Sequence, residues 1–207
     1  MNARFALAAR AVLLGLAALS LSALQSPETP APDAPSLAGQ LLVAAPDMGD
    51  PRFDGTVILI VHHGANGAFG VVVNRPAGEK PIAALLEEMG EDGGNASGSI
   101  PLFLGGPMEA QLGFVIHTAD YMTKKTLPIG DKFAMTSDPD ILRDIAVGKG
   151  PKRSFIAFGY AGWAPGQLED ELSRNSWYLA PADEALLFDG NRDTLWQRAY
   201  DRKTLRL

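Results

Sequence analysis

Phe158 to Asp189 reads FGYAGWAPGQLEDELSRNSWYLAPADEALLFD, placing three glycines, two tryptophans and an acidic helix within about thirty residues. Ser154 to Phe158, SFIAF, is predicted as a central strand running straight into it. Pro165 is expected at the first helical position, with Leu168 and Leu172 packing inward, which makes Gly159 to Leu168 a strand-to-helix junction. Such a junction can cradle a phosphate, because helix N-termini present free N–H groups and glycines let a ligand approach. The spacing opposes that here. Gly159, Gly162 and Gly166 match neither the dinucleotide pattern nor the P-loop, and no lysine follows them. Glu169, Asp170 and Glu171 would also repel an anion. A structural turn is the expected role. Trp163, flanked by small residues, is expected either to plug the core or to stand exposed as an anchor for a partner, packing being the more frequent fate.

Ahead of the junction, short apolar runs alternate with turn signals. Thr56 to Val61 (TVILIV) and Phe69 to Val73 (FGVVV) read as an antiparallel hairpin, with Asn66-Gly67 supplying positive-φ residues for the reversal between His62 and Ala68. Asn74-Arg75-Pro76 closes the second strand. Ile82, Leu85, Leu86 and Met89 recur at helical spacing, and Glu91 to Ser99 is a glycine-rich loop. Leu102 to Leu104, Gly113 to His117 and Lys132 to Thr136 read as short strands, the first two separated by the turn Gly105-Gly106-Pro107. Asp138 is expected to cap a helix that has Pro139 at its first position, Ile141, Leu142 and Ile145 on one face, and Gly148 as its stop. Asn191 to Thr204 places Leu195, Trp196, Ala199 and Tyr200 on one helical stripe. Strands and helices mixed without a regular βαβ rhythm predict an α+β fold.

The chain has 207 residues, enough for one domain with a buried core, and its formal net charge of −6 disfavours wholesale binding of polyanions. Without cysteine it has no disulfide, thiolate nucleophile or cysteine-held metal cluster. Arg4 and Arg10 precede an apolar run from Ala11 to Leu24, and Ser20-Leu21-Ser22 offers a small-x-small cleavage site. Residues 1–24 therefore read as a secretory signal peptide, with a retained anchor as the weaker reading and a misplaced start as the bland one. Residues 25–36, QSPETPAPDAPS, read as an extended proline-rich tether, and 37–207 as the single folded domain.

Three blocks carry a resemblance: LAGQLLVAAPDMGDPRFDGTVILIVHHGANGAFGVVVNRP (Leu37 to Pro76), LFLGGPMEAQLGFVIH (Leu102 to His117) and GYAGWAPGQLEDELSRNSWYLAPADEALLFD (Gly159 to Asp189). In order and separation they resemble the bacterial YqgE/AlgH family. The resemblance implies an α+β fold in which a bent, bifurcated, mostly antiparallel sheet forms a pseudo-barrel flanked by helices. It brings no catalytic residue set and no cofactor. One branch of the family is linked to regulation of exopolysaccharide genes, and the family is generally regarded as cytoplasmic, whereas residues 1–24 point to export.

The residues offer three functional readings. The leading one is a non-catalytic binding or regulatory domain acting through contacts with other proteins, on a surface built from Gly159, Gly162, Trp163, Gly166, Gln167, Asn175 and Trp177. The second is an enzyme or small-ligand binder at a sheet rim where His63 and His117, each ending an apolar strand, converge as weak metal candidates; His62 and His63 point to opposite faces and are poorly placed to share one ion. No G-x-S-x-G elbow or H-E-x-x-H helix accompanies them. The third is a DNA-binding regulator using Arg192, Arg198, Arg202, Lys203 and Arg206, a modest patch without a recognition motif, for which a solvated helix face is the ordinary explanation. Membrane contact is expected only if residues 1–24 are retained.

Overall fold

The computed structural model describes residues 35–188 and 191–204, so the segment 1–24 read as a signal peptide and most of the stretch 25–36 read as a tether lie outside the described residues. Strands β1 (Gln40–Ala44), β2 (Val57–Gly64) and β3 (Gly67–Val72) run antiparallel, and β2 and β3 form the expected hairpin. The hairpin is longer than predicted. A register shift between Ile60 and His62 carries both histidines into β2, leaving Ala65 and Asn66 as the loop. Gly67 takes the reversal at φ +108, and a Cβ there would stand 2.2 Å from the Trp163 carbonyl oxygen, so only glycine fits. Along β1 and β2, Leu41, Val43, Leu59 and Val61 pack to one side while Leu42, Ala44, Ile58 and Ile60 pack to the other. Burial on both faces is why these strands read as unbroken apolar runs.

Pro76 does close β3, yet Pro76–Pro81 is itself a strand, β4, exposed along its length at a sheet edge where proline is tolerated. Helix α1 (Ile82–Glu88) follows, then β5 (Ser99–Leu104), β6 (Met108–Thr118), the short edge strand β7 (Leu127–Ile129) and β8 (Phe133–Thr136). Helix α2 (Asp140–Ala146) starts one residue later than expected, with Pro139 as its cap position and the Asp138 carboxylate reaching the Asp140 N–H. The start of the signature then proves to lie inside a strand. β9 spans Ser154–Trp163, and α3 (Gln167–Ser173) begins only after Gly166, which takes φ +77 and displaces Pro165 from the helix. β10 (Trp177–Pro181), α4 (Glu184–Phe188) and α5 (Leu195–Tyr200) complete the described chain.

The sheet order is β10-β1-β2-β3-β9-β6-β8-β7, with β4 and β5 branching from β9. β9 is the fork: β6 pairs along one flank, while β5, its one parallel neighbour, and then β3 share the other. The sheet also curls, since a Cβ on Gly39 beside β1 would lie 3.3 Å from the Gly130 Cα beside β7. This is the bent, bifurcated pseudo-barrel that the resemblance implied. Phe133, Phe155 and Ile116 line its interior, which Leu186, Leu187, Leu195 and Ala199 of α4 and α5 close. Outside it, Trp163, Trp177 and Leu168 pack on Leu42, Ile58 and Ile60, and the α1–α2 pair packs on Val115 and Ile156.

Candidate functional site

Where β6 meets β9, four residues of β6 (109–112) face a single residue of β9, Gly159, so they bulge into solvent. A Cβ on Gly159 (φ +75) would lie 2.5 Å from the Gly106 oxygen, and one on Gly106 would lie 2.1 Å from the Tyr160 carbonyl carbon. The Gly-Gly-Pro turn and the signature glycine are therefore a backbone crossing, which holds Pro107 and Met108 beside the end of β9. Helix α3 ends as tightly. Asn175 adopts φ +60, its N–H reaches the Leu172 carbonyl and that of Ser176 reaches Glu171, a Schellman closure that turns the chain into β10.

These two devices leave a cleft of about 370 Å³ between β9, α3, the start of β10 and the β1–β2 loop. Its centre is a carboxylate. Glu171 accepts hydrogen bonds from the Trp163 indole at 2.9 Å and the Trp177 indole at 2.8 Å, both on Oε2, and from the Gln167 amide at 2.8 Å on Oε1. Gln167 in turn accepts the Ala164 N–H at 3.0 Å. The two indoles meet edge to face at 6.1 Å, Phe53 meets Trp177 likewise at 5.6 Å, and the tryptophans are only 7% and 3% exposed. Asp50 and Arg52 pair at 2.7 Å on the opposite wall. Arg174, one helical turn beyond Glu171, also lines the cleft and has no ion pair among the described residues.

Of the residues expected to form a site, Gly162, Trp163, Gln167 and Trp177 line this cleft. Trp163 and Trp177 do so as buried walls, which corrects the exposed-anchor alternative. Gly159, Gly166 and Asn175 shape the backbone instead, through the crossing, the helix start and the helix end. The sequence marks Glu171 only as one of three carboxylates that would repel an anion; its spacing of four from Gln167 is the signal that places both on one face. Arg174, Phe53 and Met108 carried no comparable mark.

His63 and His117 do not share a rim. His63 pairs with Ala68, which pairs with Trp163 at one end of β9, whereas His117 pairs with Ser154 at the other. At about 3.3 Å per residue the strand between them runs roughly 30 Å. His63 accepts the Leu37 N–H on Nδ1 at 3.3 Å, which makes Nε2 the donor to Glu169 at 2.7 Å. His117 is fully buried, donates Nδ1–H to the Thr118 carbonyl at 2.9 Å, and leaves Nε2 without a partner. Among the described residues no three of His, Asp and Glu gather to hold a metal.

The basic tail is spent on packing. Arg202 pairs with Asp183, Arg192 donates to the Leu186 and Leu187 carbonyls, Arg198 donates to Ala185 and Lys203 lies 3.7 Å over the Tyr200 ring. Arg206 lies outside the described residues. No helix among the described residues is long and apolar enough to cross a membrane.

A family model described as AlgH-like matches residues 41–207. A UPF0301 protein of Jannaschia sp. (strain CCS1) is 43% identical over 79% of this chain and 86% of its own length. Another from Ruegeria pomeroyi is 44% identical over 79% of this chain and 89% of its own. The solution structure of the AlgH protein from Pseudomonas aeruginosa is similar at TM-score 0.68 and 40% identity, covering 82% of this chain and 90% of that one. The crystal structure of protein DIP2367 from Corynebacterium diphtheriae shares the fold at TM-score 0.64 with 23% identity.

Proposed function

The chain belongs to the AlgH-like family, and from that premise we propose that it is a non-catalytic binding domain that acts through protein contacts made at the β9–α3 cleft. The Glu171 cluster carries this reading. Its three hydrogen bonds occupy both carboxylate oxygens, so this acid is committed to holding two indoles rather than poised to move a proton, while the other acid of the lining, Asp50, is paired with Arg52. Phe53, Trp163 and Trp177 give the wall its aromatic surface, and no histidine lines it among the described residues. Preformed, mostly apolar concavities with a few fixed polar groups are how proteins recognise ligands.

Gly162 supplies the test. A Cβ there would meet first the Met108 sulfur at 3.1 Å, the movable end of a flexible side chain, and the residue has no positive φ. Gly162→Phe therefore fills the cleft while β9 keeps its pairing. Crosslinked capture from native cells should enrich the same proteins with the wild type and with a Met122→Ser surface control, and lose them with Gly162→Phe at unchanged melting temperature. Identical capture by all three would refute the reading.

A further inference from the structure

Building on that reading, we propose that the cleft receives the C-terminal end of a partner polypeptide, extended along β9, with its terminal carboxylate paired to Arg174.

The backbone argues for an extended peptide. Pairing between β6 and β9 ends at Met108 and Tyr160, so residues 161–163 have β3 on one flank and, among the described residues, no strand on the other. The Trp163 carbonyl faces Gly67 of β3, since a Cβ on that glycine would stand 2.2 Å from its oxygen. Backbone groups alternate sides along a strand, so the N–H and C=O of Gly162 face the open flank, which is the cleft. An open strand edge is a template for another chain, and strand addition is a common mode of peptide capture. Gly162 itself leaves this edge without a side chain that would block the approach.

The charges argue for a chain end. Asp50, Arg52, Glu171 and Arg174 line the cleft. The first two neutralise one another, and Glu171 is turned inward to its three donors, which is why Arg174 one turn later is not paired with it. Those three donors are neutral groups, and Arg174 has no ion-pair partner among the described residues; a carboxylate is the group whose geometry a guanidinium matches in a two-point bond. At about 370 Å³ the cleft is near the small end of the roughly 300–1,000 Å³ range of ligand pockets. That volume admits a terminus, which enters once, more readily than an internal segment, which must also leave. Phe53, Met108 and Trp177 beside it favour an apolar or aromatic last side chain.

The chain's own tryptophans report on the outcome. The Trp163 and Trp177 indole N–H groups lie in the cleft wall, while that of Trp196 donates to the Ala44 carbonyl at 2.9 Å and serves as an internal reference. N-acetyl-phenylalanine mimics a C-terminal residue, and its amide lacks only the charge. Titrated into the 15N-labelled protein, the acid should shift both cleft indole resonances saturably and leave Trp196 still. The amide, and the acid with Arg174→Gln, should bind at least about ten-fold more weakly, the loss of one charge-assisted contact, and Gly162→Phe should abolish the shift. No shift by about 20 mM acid, well past the millimolar affinity of a fragment this small, would overturn the proposal. Equal binding of acid and amide, both lost in Gly162→Phe, would also overturn it while leaving the binding-domain reading in place. That reading falls separately if partner capture survives Gly162→Phe.

Discussion

Glu171→Ala should destabilise the protein by an amount that its three hydrogen bonds set. The substitution strands two indole N–H groups that are 7% and 3% exposed by residue, and an unpaired buried donor costs about 1–3 kcal/mol. Gln167 is exposed and turns to water at little cost. The two indoles alone give about 2–6 kcal/mol, and water entering from the cleft recovers part of it, so about 3 kcal/mol is expected. Glu171→Gln keeps an oxygen for both indoles but sets an amide NH2 against that of Gln167, so one bond is lost and about 1 kcal/mol is expected. Equilibrium urea unfolding followed by far-UV circular dichroism measures both, with unchanged m-values as the check on two-state behaviour. For a domain of this size, about 3 kcal/mol corresponds to a fall in melting temperature of roughly 6–12 °C. If Glu171→Ala lies within about 0.5 kcal/mol of wild type, or if Gln harms as much as Ala, the indole bonds do not hold the wall.

Three further outcomes follow from the geometry. Trp163→Ala should cost about 3–5 kcal/mol in the same urea experiment, because the ring is a buried wall; a loss under about 1 kcal/mol would return it to the surface. Gly67→Ala and Gly78→Ala compare like φ values, +108 and +107, but only Gly67 has an atom in the way; the first should lower stability by more than about 3 kcal/mol and the second by only the roughly 1–2 kcal/mol of backbone strain, and equal losses would remove the close-approach argument. Burial pushes the His117 pKa down, against smaller upward pulls from the Thr118 carbonyl and Asp120, while Tyr121 stacks edge-on and gives its own hydroxyl to Asp144. The unfolded chain therefore takes the proton first, so stability is full above about pH 6.5 and is lost as pH falls toward the folded pKa, by at most about 1.36 kcal/mol per pH unit. His117→Phe should flatten that slope in melts from about pH 8 to 5, and an undiminished slope would assign it to other groups.

Apolar runs bounded by glycine or proline are legible: the β2–β3 hairpin, α1, α2 and the start of β9 are all present, the hairpin longer and α2 one residue later than the sequence puts them. What escaped were strands too short or too polar to mark themselves. β4 is six residues of PAGEKP with no apolar side chain larger than alanine or proline, and it is a strand because β5 lies beside it. β7 has only Leu127, Pro128 and Ile129, held by β8. β9 was cut short at Phe158 because Gly159 resembles a terminator; the carbonyls of Gly106 and Met108, fifty residues away, explain why a glycine is required mid-strand. The site was half visible for the same reason. Tryptophan announces itself by rarity and glycine by its backbone freedom, whereas Arg174 differs from any solvated arginine only in that its neighbour Glu171 has been turned away from it.

The fork at β9 also governs how the chain comes off the ribosome. Before Ser154 emerges, β1–β2–β3, β4–β5 and β6–β8–β7 pair strand to strand only within themselves, each with an unsatisfied edge that β9 completes. β1 waits longer still, since Gln40 pairs with Pro181. Nucleation from the N-terminus thus gains little until the last quarter of the chain is made, and a nascent or nonsense-truncated product ending near Gly150 presents several open ladders at once. Such a product is a substrate for chaperones and proteases rather than a partly working protein.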